Sequence, residues 1–162
     1  MNVKDICIRN VASCLPETNL ATVAAMMWEH DCGVLPVVDS TQHLVGILTD
    51  RDICMALATR NRLASDLRAL DVMSTTLHTI HEDDSASHAM KIMRHHHVRR
   101  LPVLGKDDSL KGILSLNDLA LAAKEGKDAS PSHDEVVQTL KAICNHGRPS
   151  KKAKEHLEPA LV

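Results

Sequence analysis

Gly46-Ile47-Leu48-Thr49-Asp50-Arg51-Asp52 and Gly112-Ile113-Leu114-Ser115-Leu116-Asn117-Asp118 are the same phrase written twice, 66 residues apart. Outward from it, Leu35-Pro36-Val37 falls on Leu101-Pro102-Val103 and Asp5-Ile6-Cys7 on Asp71-Val72-Met73. No gap is needed from Val3/Ala69 to Leu57/Ala123. A solenoid buries its faces only by stacking about three or more units. Two copies therefore predict one supersecondary unit paired about a pseudo-twofold, with paired clefts where the copies meet.

Each copy spells the same order of elements. Residues 3–7 read as a lead-in turn and residues 11–15 as a short strand stopped by Pro16. Thr18 or Asn19 then caps a helix whose Leu20, Val23, Ala24 and Met27 form one apolar stripe. In the second copy Ser85 caps and Ala86, Ala89, Met90 and Met93 form the stripe. Two β-branched runs follow, residues 34–38 and 44–49, repeated at 101–104 and 110–115; the short polar loops between them predict antiparallel hairpins. Helices over about 50–60 and 116–124 open on first turns that suit the helix dipole. The unit is β-α-β-β-α and the fold class α+β, small sheets covered by helices.

The copies occupy residues 1–62 and 69–125, joined by a polar connector at 63–68. Residues 126–132 read as a loop. Val136, Val137, Leu140, Ile143 and Cys144 then mark a helix over 133–147, ending at Gly147 and without counterpart in the repeat. Residues 148–162, with Lys151, Lys152 and Lys154, are expected to be a mobile tail.

At 162 residues the chain can build a real core, either as one domain or as two intimately packed halves. Apolar residues make up 44%, yet Phe and Tyr are absent and Trp28 stands alone, so that core is aliphatic, Ala and Met. The lack of aromatic faces argues against single-stranded nucleic acid, and a net charge of -2 supplies no bulk field for a polyanion. No apolar window reaches the roughly 18–20 residues of a membrane span, and the N-terminus lacks a hydrophobic leader, so a soluble cytoplasmic protein is expected. Five scattered Cys residues read as reduced thiols.

In Thr49-x-x-Asp52 and Ser115-x-x-Asp118 a strand delivers a hydroxyl to a helix N-terminus and, one turn later, a carboxylate on the same side. The carboxylate can accept two hydrogen bonds from a vicinal diol such as ribose; the hydroxyl and the first backbone N–H groups suit ribose or phosphate oxygens. The same spacing makes a capping box that needs no ligand, and spacing alone leaves both readings open. The His content offers an alternative. His95-His96-His97, with His30, Cys32 and His43 near matching positions, can form a zinc site if helix ends converge. Consecutive helical residues point about 100° apart, so at most two of the three can face one ion. Catalytic signatures are missing: no nucleophile elbow, Walker loop or dinucleotide fingerprint is present. His81, Glu82, Asp83 and Asp84 precede the Ser85 cap and read as loop and dipole complement, so no enzyme is expected.

The tandem Leu-Pro-Val strand and the Gly-Ile-Leu strand ending in Thr/Ser-x-x-Asp resemble the CBS-domain pair, or Bateman module, over residues 3–124. The resemblance implies an adenosine-ligand site in each of two clefts. Thr49 and Asp52, and Ser115 and Asp118, fall on the family's ribose-contacting positions. The basic residues that hold phosphate before the second strand are matched by Arg99 and Arg100 in the second copy, but by Gly33 and Val34 in the first. Paired guanidinium forks neutralise phosphate oxygens and a Gly-Val pair cannot. The second cleft, with Asn117 beside Asp118, is therefore expected to bind AMP or ATP. The first is expected to bind more weakly, or to prefer a less charged ligand, unless Arg51 compensates; NAD and S-adenosylmethionine remain open as ligands. Val11, Ser13, Leu77 and Thr79 are candidate purine contacts by the same analogy, and plain sheet core otherwise. The resemblance further implies no required cofactor, a homodimer joined through helices, and a target protein that receives the signal.

Overall fold

The computed structural model describes residues 1–126 and 130–145, and the expected tail lies outside them. Its strands are β1 (Ile8–Arg9), β2 (Val34–Val38), β3 (Leu44–Thr49), β4 (Ile80–His81), β5 (Arg100–Leu104) and β6 (Leu110–Ser115). Its α-helices are α1 (Leu20–Glu29), α2 (Asp50–Arg60), α3 (Ala86–His96), α4 (Leu116–Ala122) and α5 (His133–Cys144). The apolar stripes dictate the helical layer: Leu20, Val23 and Met27 are buried on α1, and Ala86, Ala89, Met90 and Met93 on α3. Asn19 and Ser85 cap them, each side chain accepting from the N–H three residues on.

Both hairpins form as antiparallel pairs in equivalent register, Leu35 opposite Leu48 and Leu101 opposite Leu114. Among the described residues the strands make a four-stranded sheet, β1-β6-β5-β4, and a two-stranded one, β2-β3. The strand expected at residues 11–15 does not form; only Cys14 bridges Val37, in parallel. Its counterpart Ile80 pairs with Val103 the same way, but there the contact extends into β4. The helix after β6 stops at Ala122, short of 124, and α5 stops at Cys144; Gly147 lies outside the described residues.

The repeats are not self-contained, because each lead-in crosses to the other copy. Val3 N donates to the Asp84 carbonyl at 2.8 Å and Ala86 N to the Met1 carbonyl at 3.1 Å. In the mirror contact Ala69 N donates to Thr18 O at 2.8 Å and Leu20 N to Leu67 O at 2.9 Å. β1 then adds antiparallel to β6, Ile8 opposite Ile113, while its counterpart Ser74 makes a single bridge to Ile47. Ion pairs reinforce the first crossing, Lys4 with Asp83 at 2.8 Å and Arg9 with Glu82 at 3.3 Å. Val3 is accordingly buried in the second core, with Met90, Met93, Leu101, Leu114 and Leu119, and Leu67 and Ala69 in the first, with Leu20, Val23, Leu35 and Leu48. Residues 1–62 are therefore contiguous in sequence but not in packing.

Candidate functional site

Both hairpins run straight into a helix, and the junction carries the repeated motif. Thr49 N donates to Asp52 Oδ2 at 2.8 Å, Thr49 Oγ1 to the same oxygen at 2.7 Å, and Asp52 N back to Thr49 Oγ1 at 3.2 Å. Ser115 and Asp118 repeat these bonds at 2.7, 2.7 and 3.2 Å. The capping box is thus present in both copies. It engages one carboxylate oxygen of each Asp, so Oδ1 of Asp52 and of Asp118 lies outside the box, and capping does not exclude a ligand.

The two junctions differ on the neighbouring strand. Arg100 stands directly opposite Ser115 in the β5/β6 ladder, so both side chains lie on one face of the sheet. It is half-buried. Burial pushes its guanidinium below the usual value and Arg99 adds repulsion, while Asp50, Cys32 and Asp118 oppose both. Arg100 is therefore within electrostatic reach of the first copy as well as its own. Arg99 precedes the strand and is exposed, its carbonyl accepting from Leu116 N at 2.9 Å. In the first copy Val34, buried, stands opposite Thr49, so that face carries no cation at the equivalent position.

Among the other expected contacts, Arg51 and Asn117 are exposed on the first turns of α2 and α4. Val11, Ser13, Leu77 and Thr79 are half-buried in the irregular segments leading to Cys14 and Ile80. Ile80 pairs with Val103 and shares its core face, while Thr79 and Leu77 precede β4 outside any strand. One neighbour escapes sequence reasoning. Ile8, 57% exposed, pairs with Ile113, which is itself opposite Pro102, so it joins the face of Arg100 and Ser115 from the other copy's lead-in. Asp118 also acts on the half-buried Cys7 thiol, whose pKa is raised chiefly by burial.

The His-rich segment behaves differently from the metal expectation. His78 stacks on His96 with ring centroids 3.7 Å apart, and His95 meets His96 edge-on at 4.6 Å. Among the described residues no three His, Cys, Asp or Glu side chains converge as a metal site. No helix among them is long and apolar enough to cross a membrane.

The CBS domain family matches residues 3–59 and again 69–125. CBS domain-containing protein YhcV of Bacillus subtilis is 34% identical over 128 residues, covering 79% of this chain and 89% of that protein. Two solved structures are similar as well. Hypoxic Response Protein I with two coordinated zinc ions superposes with a TM-score of 0.68 at 28% identity, over 75% of this chain and 98% of that one. The CBS domain pair of protein MJ0100 in complex with 5-methylthioadenosine and S-adenosyl-L-methionine gives 0.66 at 26% identity, over 75% and 94%. With the motif, its register and its cross-paired lead-ins all present twice, this chain belongs to the CBS domain family and carries two CBS domains.

Proposed function

We propose that the protein is a regulatory sensor that binds a phosphorylated adenine nucleotide, AMP or ATP, on the face shared by Arg100, Ser115 and Asp118, and passes the signal to a partner protein. The observation that carries this reading is the half-buried Arg100 opposite Ser115, which adds an anion-binding fork to a junction whose Asp keeps one oxygen outside its cap. Adenosine compounds in the MJ0100 domain pair support the ligand class. The Thr49/Asp52 face, with Val34 in place of the cation, is the weaker site. Ligand shifts the packing of the copies only to the extent that it binds one arrangement more tightly than the other. The reading includes a homodimer, no catalysis and a cytoplasmic setting.

Calorimetric titration with AMP tests it. Asp118→Ala and Arg100→Ala are each expected to weaken binding by about 1.5–3 kcal/mol, roughly 10- to 150-fold, because each removes a charged hydrogen-bonding partner. Asp52→Ala is expected to change AMP affinity far less. Equal affinity in all three variants sinks the assignment. Likeness to the zinc-holding Hypoxic Response Protein I structure favours a zinc reading as the second one; metal analysis of untagged protein separates the two.

A further inference from the structure

Around the motif the two copies depart from each other at two places, and the departures have opposite charge. Arg99 and Arg100 stand where the first copy has Gly33 and Val34, and Asp50 stands where the second copy has Leu116. Leu116 is buried in the second core, while Asp50, the first residue of α2, stays exposed. Its carboxylate is held at the start of β2. Asp50 N donates to the Gly33 carbonyl at 3.3 Å and Arg51 N to Asp50 Oδ1 at 2.7 Å. A Cβ on Gly33 would lie 2.9 Å from Asp50 Oδ2 and 3.7 Å from Oδ1. The carboxylate therefore lies over the glycine whose counterpart in the second copy is Arg99.

The hairpins bring these departures together. Their turns touch, Leu110 N donating to the Gln42 carbonyl at 3.2 Å and His43 bridging Ser109. At their other ends, where β3 runs into α2 and β6 into α4, Asp50 and Cys32 of the first copy act on the charge of Arg100, as does Asp118 of the second. The half-buried guanidinium thus has a carboxylate from each copy near it. Asp118 is committed to its cap through Oδ2, whereas Asp50 is exposed on a helix start. Coulomb energy falls only as the inverse of distance, so a carboxylate within reach of the guanidinium is also within reach of an anion bound to it.

Resting on the reading of Arg100, Ser115 and Asp118 as the nucleotide face, we propose that Asp50 sets the charge selectivity of that face, making it a site for a nucleoside monophosphate and against a triphosphate. Arg100 attracts the first phosphate, and the carboxylate of the other copy opposes each further one. The same residue stands one turn from Asp52, so the Thr49/Asp52 junction is doubly acidic as well as lacking the cation.

Calorimetric titrations with adenosine, AMP and ATP, with divalent cations chelated, test this on the full-length protein and on Asp50→Asn and Asp50→Lys variants. The wild type is expected to bind AMP more tightly than ATP. Asp50→Asn raises the ratio of ATP to AMP affinity by about tenfold and Asp50→Lys raises it further, the gain shrinking at high salt. Adenosine affinity stays the same in all three, and circular dichroism confirms that α2 is kept. A ratio unchanged in both variants, a wild type that prefers ATP, or ATP binding weakened by Asp50→Asn overturns the proposal. Arg100→Ala separates it from the reading on which it rests. Loss of AMP binding there, with an unchanged ratio in the Asp50 variants, removes the selectivity alone; undiminished AMP binding there removes both.

Discussion

At position 100 a guanidinium stands where its counterpart, Val34, is an aliphatic side chain buried in the sheet, and that single exchange separates the two junctions chemically. The neighbouring position differs too: Gly33 stands where the second copy has Arg99, and a Cβ there would come within 2.9 Å of Asp50 Oδ2, the end of an exposed side chain that can move away. The His78–His96 stack supplies a residue-level prediction. Desolvation in the stack, then His78 and His95, hold His96 below the usual His value. The unfolded chain therefore takes up the proton first, and this group's contribution is complete above about pH 6.5 and lost as pH falls through that value towards the lower folded one. Denaturation midpoints are expected to drop over that window, and His96→Gln to flatten the drop; an unaltered pH profile in the variant refutes it. The Thr49/Asp52 and Ser115/Asp118 positions were legible in the sequence because a capping box is local, spaced by one helical turn. Ile8 was not, because its strand partner Ile113 lies 105 positions further along the chain.

Among the elements, the hairpins and amphipathic helices follow directly from β-branched runs and from stripes of period 3.6. The short first strand does not. Residues 11–15 have strand composition, yet only Cys14 meets β2, while the pairing that widens the other sheet falls to Ile8–Arg9. A two-residue strand carries too little pattern to be placed before its partner is known. Its seat depends on Gly112, where an added Cβ would strike the Ile8 carbonyl, a backbone atom that cannot step aside. At the equivalent Gly46 the obstacle is the Met73 thioether, a flexible side chain. Gly112→Ala is expected to cost about 1–3 kcal/mol and Gly46→Ala distinctly less, read as the difference in urea midpoints. Equal losses argue that β1 is not pinned by that close approach.

For the molecule as a whole, the crossed lead-ins make the pair, not the copy, the cooperative unit. Val3 is fully buried among second-copy residues, so Val3→Ala is expected to cost about 2 kcal/mol and to lower amide protection in α3 and α4 more than in α1 and α2. Hydrogen exchange followed by mass spectrometry reads this directly, and loss confined to the first copy contradicts it. The same crossing sets a schedule for biosynthesis. Met1 and Val3 leave the ribosome ahead of their hydrogen-bond partners Ala86 and Asp84, which follow on the order of 10 s later at ordinary elongation rates. Until then Val3 has no core to enter, which makes the interval between the two copies a window in which a chaperone, or a lead-in from another nascent chain, competes for the same place.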